Sequence, residues 1–266
     1  GFHLQGKRVK YDLSAFATNS FHNGLELENV FPKIKLQRAN KRDMFYYVES
    51  YFNEHRQKQF RLKPSRYSFN ETNGYEFTLF EDLYNFDDIY LTGYWQHAGY
   101  FEHCSEELMK AFSFKTIDVC DDHVNYLLAS KIRNSNSVGV HVRRGDYLQS
   151  PMHRVLSMDY YDTAVEYIRS KVVNPLFFVF SDDQMFARDH FTRKDFIIVD
   201  NNKGICSYRD LQLMRMCKYK IIANSTFSWW AAWLNKNVNK IVVTPEKWFT
   251  NGKNVSGLLL SEWIKM

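Results

Sequence analysis

Between residues 138 and 243 short apolar runs alternate with amphipathic segments, and this alternation constrains the fold more than any other feature of the chain. Residues 138–142, 176–180, 196–199, 221–223 and 240–243 are the apolar runs, as expected of strands buried on both faces. Residues 158–171, 207–218 and 227–235 carry helical spacing between them. Strands separated by helix-length segments pair in parallel, because the helix supplies the crossover that a tight turn cannot. The expected class is therefore α/β, with a doubly wound parallel sheet in a domain over residues 135–266. Asn134-Ser135-Asn136-Ser137 reads as a short linker, and residues 1–134 as a second, aromatic-rich α/β domain with weaker periodicity. Helices are expected there over 102–112 and 121–133, with a polar stretch at 53–63 and a turn at Asn73-Gly74.

Three of the strand ends carry polar clusters. The first apolar run passes from His141 into Arg143-Arg144-Gly145-Asp146, and two adjacent guanidiniums at a strand end suit an anion. Arginine offers a planar fork of donors that matches phosphate oxygens, so a diphosphate is the first ligand to consider. On an extended strand the two arginines point to opposite faces, so one would reach the anion and the other a carboxylate. The second run delivers Ser181-Asp182-Asp183, which suits a divalent cation, hydrogen bonding to a ligand, or capping of the next turn. A further run delivers Asn224-Ser225-Thr226 at the start of a helix, where free N–H groups and the helix dipole favour an anion and where plain capping is the simpler role. In parallel sheets ligands bind beyond the carboxyl ends of the strands, which is where all three clusters fall. His141 could line the same pocket or be packed. Trp229, Trp230 and Trp233 have core spacing, and Ser207-x-x-Asp210 has the form of a capping box.

These blocks resemble a known family. His141–Tyr147, Phe177–Asp183 and above all Asp210–Asn235 look like the signature segments of glycosyltransferase family eleven, the inverting α-1,2-fucosyltransferases. Gly93-Tyr94-Trp95-Gln96, Tyr160-Tyr161 and Val242–Pro245 match further blocks in the same order, and the likeness spans roughly residues 10–250. The resemblance implies a two-lobed, GT-B-like enzyme of bacterial type. Residues 1–134 would form the acceptor-side domain and 135–266 the GDP-fucose-binding domain. L-fucose would pass from GDP-β-L-fucose to the 2-hydroxyl of a terminal β-galactoside. It implies that Arg143 binds the β-phosphate and that the acidic pair Asp182-Asp183 supplies the guanine reader; by their placement at the strand ends His141, Arg144, Asn224, Ser225 and Thr226 are counted with the same donor site. With arginine neutralising the diphosphate, neither a metal nor another cofactor is expected. The catalytic base is left open between Asp146, taken as first choice, His153, Asp159 and a group in the first domain. A transferase of another linkage and an impaired sugar-nucleotide-binding relative are the alternatives. Family members open with an apolar strand and a glycine-rich turn ahead of the segment matched by Gly6–Ser14, so a strand and a loop over the diphosphate are expected to be missing here, with impaired transfer.

Composition sets outer limits. A net charge of +5 spread along 266 residues argues against nucleic acid as a partner, although it would favour a nucleotide diphosphate. No run of eighteen apolar residues and no signal-peptide pattern is visible. The four cysteines show no paired spacing, so reduced thiols are expected. Sequons stand at Asn70, Asn224 and Asn254, but a glycan on Asn224 would block the proposed site. The expected setting is the bacterial cytoplasm, at most peripheral to the inner membrane. Oligomeric state is left open.

Overall fold

The structure, a computed structural model, describes residues 6–14, 16, 23–44, 48–52, 58–62, 68–71, 77 and 89–266. Two compact units divide the chain. The first comprises Gly1–Ser113 with Ser256–Leu258, and the second Phe114–Val255 with Leu259–Met266. The division thus falls ahead of residues 123–133 rather than at Asn134. That helix carries Ala129 and Ile132 into the core of the second unit, and burial of both side chains ties it there.

In the first unit β1 (Val48–Phe52) pairs antiparallel with β2 (Lys58–Leu62), so part of the polar stretch expected at 53–63 is strand. Strand β3 (Ser68–Asn70) runs parallel to β4 (Tyr90–Thr92). Among its described residues are the helices α1 (Leu27–Val30), α2 (Lys41–Met44) and α3 (Ser105–Ala111), the last preceded by a 3-10 turn at Glu102–Cys104. The turn expected at Asn73-Gly74 lies outside the described residues.

The second unit holds a six-stranded sheet whose described pairings are all parallel. Its strands are β5 (Asn136–Val142), β6 (Pro175–Ser181), β7 (Phe196–Val199), β8 (Tyr219–Ile221), β9 (Val242–Thr244) and β10 (Ile264–Lys265). The order is β10-β9-β8-β5-β6-β7. The chain leaves β5 in one direction through β6 and β7, then returns to β5's other side with β8, so the order reverses between β5 and β8. The α/β class and the doubly wound sheet are as expected. Asn136 opens β5 and Ser137 is buried within it, accepting from the Lys218 N–H at 3.1 Å, so the expected linker is half strand.

Alternation along the buried strands builds a core on each face. Val138, Val140, Val142, Phe177 and Val179 meet Tyr161, Ala164, Val165 and Ile168 of α5 (Met158–Lys171). Phe178 and Phe180 meet Ala129 and Ile132 of α4 (His123–Arg133), Leu213 and Met214 of α7 (Tyr208–Met216), and Ala231 of α8 (Thr226–Trp233). Truncating a fully buried phenylalanine such as Phe178 to alanine costs about 3–5 kcal/mol. Two elements had no clear sequence signal. One is α6 (Gln184–His190), whose N-cap Asp183 accepts from the Phe186 N–H; the other is the two-residue edge strand β10. Trp229 and Trp233 are buried, as their spacing implied.

Candidate active site

All three polar clusters emerge at the carboxyl edge of this sheet. Strand β5 ends at Val142, in register with Ser181 of β6, which sets Arg143 beside Asp182. On β5's other side β8 leads through Ile222 and Ala223 to Asn224 and the first turn of α8. Arg143 and the α8 N-terminus therefore flank the point where the strand order reverses, the position at which open α/β sheets form ligand crevices.

The arginines are held by carboxylates from two loops. Arg143 Nη2 lies 2.8 Å from Asp146 Oδ1, and Nη1 lies 3.0 Å from Asp182 Oδ2. Its side chain is 24% exposed, and its Nε is buried with no hydrogen-bond partner among the described residues. Arg144 donates from its backbone N–H to Asp182 Oδ1 at 2.9 Å and from Nε to Asp183 Oδ2 at 3.2 Å. Its guanidinium lies 3.7 Å from the centre of the Phe186 ring. Asp183 Oδ1 accepts the Phe186 N–H at 3.0 Å, capping α6. All four oxygens of the acidic pair are thus engaged, and both arginines, rather than one, are paired to carboxylates. Gly145 is required by this packing, because a Cβ there would stand 2.8 Å from Asp182 Oδ2.

Behind the arginines lies a buried layer. His141 Nδ1 is 2.9 Å from Ser228 Oγ on α8, and its ring centre is 5.4 Å from that of Phe227. Burial, with the Arg143 charge adding to it, pushes its pKa down to about 3, so the imidazole is neutral at physiological pH and too weak a base to hold a proton. Tyr161 donates to the His141 carbonyl at 3.2 Å and Tyr160 to the Ile222 carbonyl at 2.6 Å, so the tyrosine pair of α5 braces both strands of the switch point.

Tyr147 joins the loop after β5 to the loop after β8. Its hydroxyl donates to the Asn224 carbonyl at 3.0 Å, its ring stacks on His153 at 4.3 Å, and Arg143 Cζ lies 5.3 Å from the ring centre. His153 Nδ1 is 2.9 Å from Ser150 Oγ. Asn224 is buried and turned inward: its amide donates to the Arg154 and Trp248 carbonyls, both at 2.7 Å. It acts as a strut for those loops and has no room for a glycan. Ser225 caps α8 by accepting from the Phe227 N–H at 3.3 Å, and Thr226, the first helical residue, is exposed. This first turn of α8 carries helix N–H groups without intrahelical partners and the positive end of the helix dipole. Asp159 lies in the first turn of α5.

Two groups stood out only in three dimensions. Tyr147 is one. Asp210, in the first turn of α7, is the other: burial raises its pKa to about 7 despite a hydrogen bond from Asn202 Nδ2 at 2.7 Å. Asn202 in turn bonds Asn125, while Arg209 pairs with Asp122 at 3.0 Å. Asp210 is therefore drawn into this network, and the capping box expected with Ser207 does not form. Among the described residues no cluster of three or more histidines, cysteines or acidic residues could hold a metal ion, and no helix is long and apolar enough to cross a membrane.

A six-stranded parallel sheet with polar clusters at the point where its strand order reverses defines a doubly wound α/β protein. The chain belongs to glycosyl transferase family 11, whose model matches residues 33–266. It is 38% identical over 184 residues to the O-antigen biosynthesis glycosyltransferase WbnK of Escherichia coli, covering 66% of this chain and 60% of the relative. It is 36% identical over 167 residues to an E. coli alpha-1,2-colitosyltransferase, covering 59% of this chain and 55% of the relative. A bovine galactoside 2-alpha-L-fucosyltransferase, SEC1, is 30% identical over 155 residues, 55% of this chain and 42% of the relative. The chain spans about 60% or less of the length of these relatives. Among solved structures, the NodZ alpha-1,6-fucosyltransferase soaked with GDP-fucose aligns with a TM-score of 0.32 at 18% identity, over 49% of this chain and 47% of that one.

Proposed function

We propose that this glycosyltransferase moves L-fucose from GDP-β-L-fucose to the 2-hydroxyl of a terminal β-galactoside with inversion, forming an α-1,2 linkage. The observation that carries the reading is the Arg143 guanidinium at the switch point, three-quarters buried, with its Nε unpartnered among the described residues, beside the N-terminus of α8. Transfer breaks the bond from the sugar's anomeric carbon to the β-phosphate oxygen and forms one to the acceptor oxygen. Negative charge gathers on the departing diphosphate, where a guanidinium fork and helix-end N–H groups stabilise it. The acceptor's hydroxyl proton must leave from the opposite side of the sugar ring. We assign it to Asp146, whose side chain is 60% exposed and whose present partner, Arg143, is the group a diphosphate would engage.

Arg144 is the second cation of the site. It holds Asp182 and Asp183 in place, and those carboxylates are the donor-side groups we assign to the base. The relatives named as a galactoside 2-alpha-L-fucosyltransferase and an alpha-1,2-colitosyltransferase support transfer of a fucosyl or colitosyl group in an α-1,2 linkage. The second of these favours one other reading, a colitosyl donor.

The test is GDP release from GDP-fucose and GDP-colitose with lactose as acceptor, the product linkage being determined by NMR. EDTA is included in a parallel arm. An α-1,2-fucosyl product formed at the same rate in EDTA is expected. Release restored only by Mn²⁺ or Mg²⁺ would refute the metal-independent mechanism, and transfer from the colitosyl donor alone would replace the donor.

A further inference from the structure

The described pairings of the six-stranded sheet are all parallel, so the connections that enter its strands gather at the edge opposite Arg143. Cations collect there. Lys131 and Arg133 end α4, Lys171 ends α5, and Lys194, Lys218 and Lys236 stand in the loops before β7, β8 and β9. Among the described residues none of these six has an ion-pair partner. Lys218 is half-buried and the other five are exposed. Asp195 and Glu262 are the acidic residues of the same connections, and Asp195 is already held by Arg169 at 2.6 Å. A helix end carries roughly half a negative charge, so even the helices α4 to α8, all of which end at this edge, offset fewer than half of the six cations. Charges dispersed along residues 131–236 thus become one basic edge only when the sheet assembles.

Two valines project from the same edge. Val173, between Lys171 and β6, is 77% exposed, and Val238, between Lys236 and β9, is 92% exposed. Three strand spacings, about 14 Å, separate β6 from β9 in the sheet order. Side-chain amides fix both tips. Asn174 turns the chain at φ 47°, and the Val173 carbonyl accepts Asn136 Nδ2 at 2.7 Å. Asn136 Oδ1 accepts Lys218 Nζ at 3.3 Å, and the Lys218 carbonyl accepts Asn237 Nδ2 at 3.4 Å. Asn237 Oδ1 accepts the Asn239 N–H at 3.2 Å, bracketing Val238. The valines are therefore presented to solvent by one connected set of hydrogen bonds, and burying them orders little else. Beside Val173 a groove of about 930 Å³, lined by Asn134, Ser170, Lys171 and Asp195 among others, has room for a phosphate headgroup. Cations alone would suit any polyanion. Apolar tips among them are buried by a hydrocarbon boundary, which a phosphodiester chain does not offer.

We infer that this edge of the second unit docks on an anionic phospholipid bilayer, with its lysines and arginines against headgroup phosphates and with Val173 and Val238 in the interface. Strand β5 spans seven residues, about 23 Å, so Arg143 beyond its other end faces away from the lipid. The docking edge stands independently of the donor and acceptor assigned above.

The test is co-sedimentation of the full chain with phosphatidylcholine vesicles that do or do not contain phosphatidylglycerol, at low and high salt. Two double variants, Lys171→Glu with Lys194→Glu and Val173→Ser with Val238→Ser, are compared with the unsubstituted protein. All four side chains are exposed, so the fold should persist, which circular dichroism and thermal melts verify. Each basic residue at an anionic bilayer strengthens binding about fivefold, so the charge reversals should weaken capture by phosphatidylglycerol vesicles by about tenfold or more. The valine variant should weaken it about threefold or more. Salt should release the protein, because the screening length shrinks from about 10 Å at 0.1 M to about 3 Å at 1 M. Binding that does not depend on phosphatidylglycerol, or that either variant retains in full, overturns the inference. Tighter capture of polyuridylate than of the vesicles would replace the bilayer with a nucleic acid.

Discussion

Replacing Arg143 tests the centre of the proposed mechanism. In Arg143→Ala the donor site loses its guanidinium fork, and by analogy with removal of one preorganised donor to a developing anion kcat/KM for transfer should fall about 10²–10³-fold, or about 2.7–4 kcal/mol. The fold should survive. Asp182 loses the Nη1 contact at 3.0 Å but keeps the Arg144 N–H at 2.9 Å, and Asp146 turns to solvent. A stability loss of about 1 kcal/mol is therefore expected, corresponding to a Tm lower by about 2–4 °C. Arg143→Lys keeps the charge without the fork and should recover less than about a tenth of the lost activity. The assay is initial-rate GDP release at varied donor concentration, with GDP affinity by calorimetry and folding by circular dichroism. A folded Arg143→Ala protein with kcat/KM within about threefold of the unsubstituted chain would refute the placement of the diphosphate.

Other outcomes follow from the same geometry. Asp146→Ala should lower kcat about 10²-fold or more, while Tm barely moves because the carboxylate is 60% exposed and such a pair is worth no more than about 1 kcal/mol; a loss under fivefold in initial-rate assays would leave Asp146 only a positioning role. Tyr147→Phe gives up the bond to the Asn224 carbonyl and should cost about 0.5–1.5 kcal/mol, whereas Tyr147→Ala also removes the ring between Arg143 and His153 and should raise the donor KM further. Equal behaviour of the two variants in thermal melts and donor kinetics would contradict that role. Asp210 binds its proton more tightly folded, with a pKa of about 7, than unfolded, so its contribution is complete below about pH 4 and is lost as pH rises through 7. Urea midpoints should accordingly fall between pH 5 and pH 8, and Asp210→Asn should flatten that slope; an unchanged slope would count against the buried carboxyl.

What the chain reveals by itself is whatever acts within one segment. Residues 176–180 had to be a strand buried on both faces because no polar position interrupts them, and residues 158–171 had to be an amphipathic helix, which the structure bounds identically at Met158–Lys171. Arg143, Asp182 and Ser225 were legible as strand-end chemistry for the same local reason. Helix α6 was not, since seven residues with only Ala187 fully buried show no period, and β10 is too short to show one. Tertiary structure decided the rest. Arg143 meets Asp182 only because β5 and β6 pair in the register Val142 to Ser181, and both arginines became ion-paired because two loops converge there. Asn224 turned inward, Tyr147 became a brace, and Asp210 left its capping box for a buried network of asparagines. Hydrophobic period and capping chemistry are properties of neighbours along the chain, whereas ion pairing and burial-driven pKa shifts depend on distances and solvent access that exist only once the sheet has assembled.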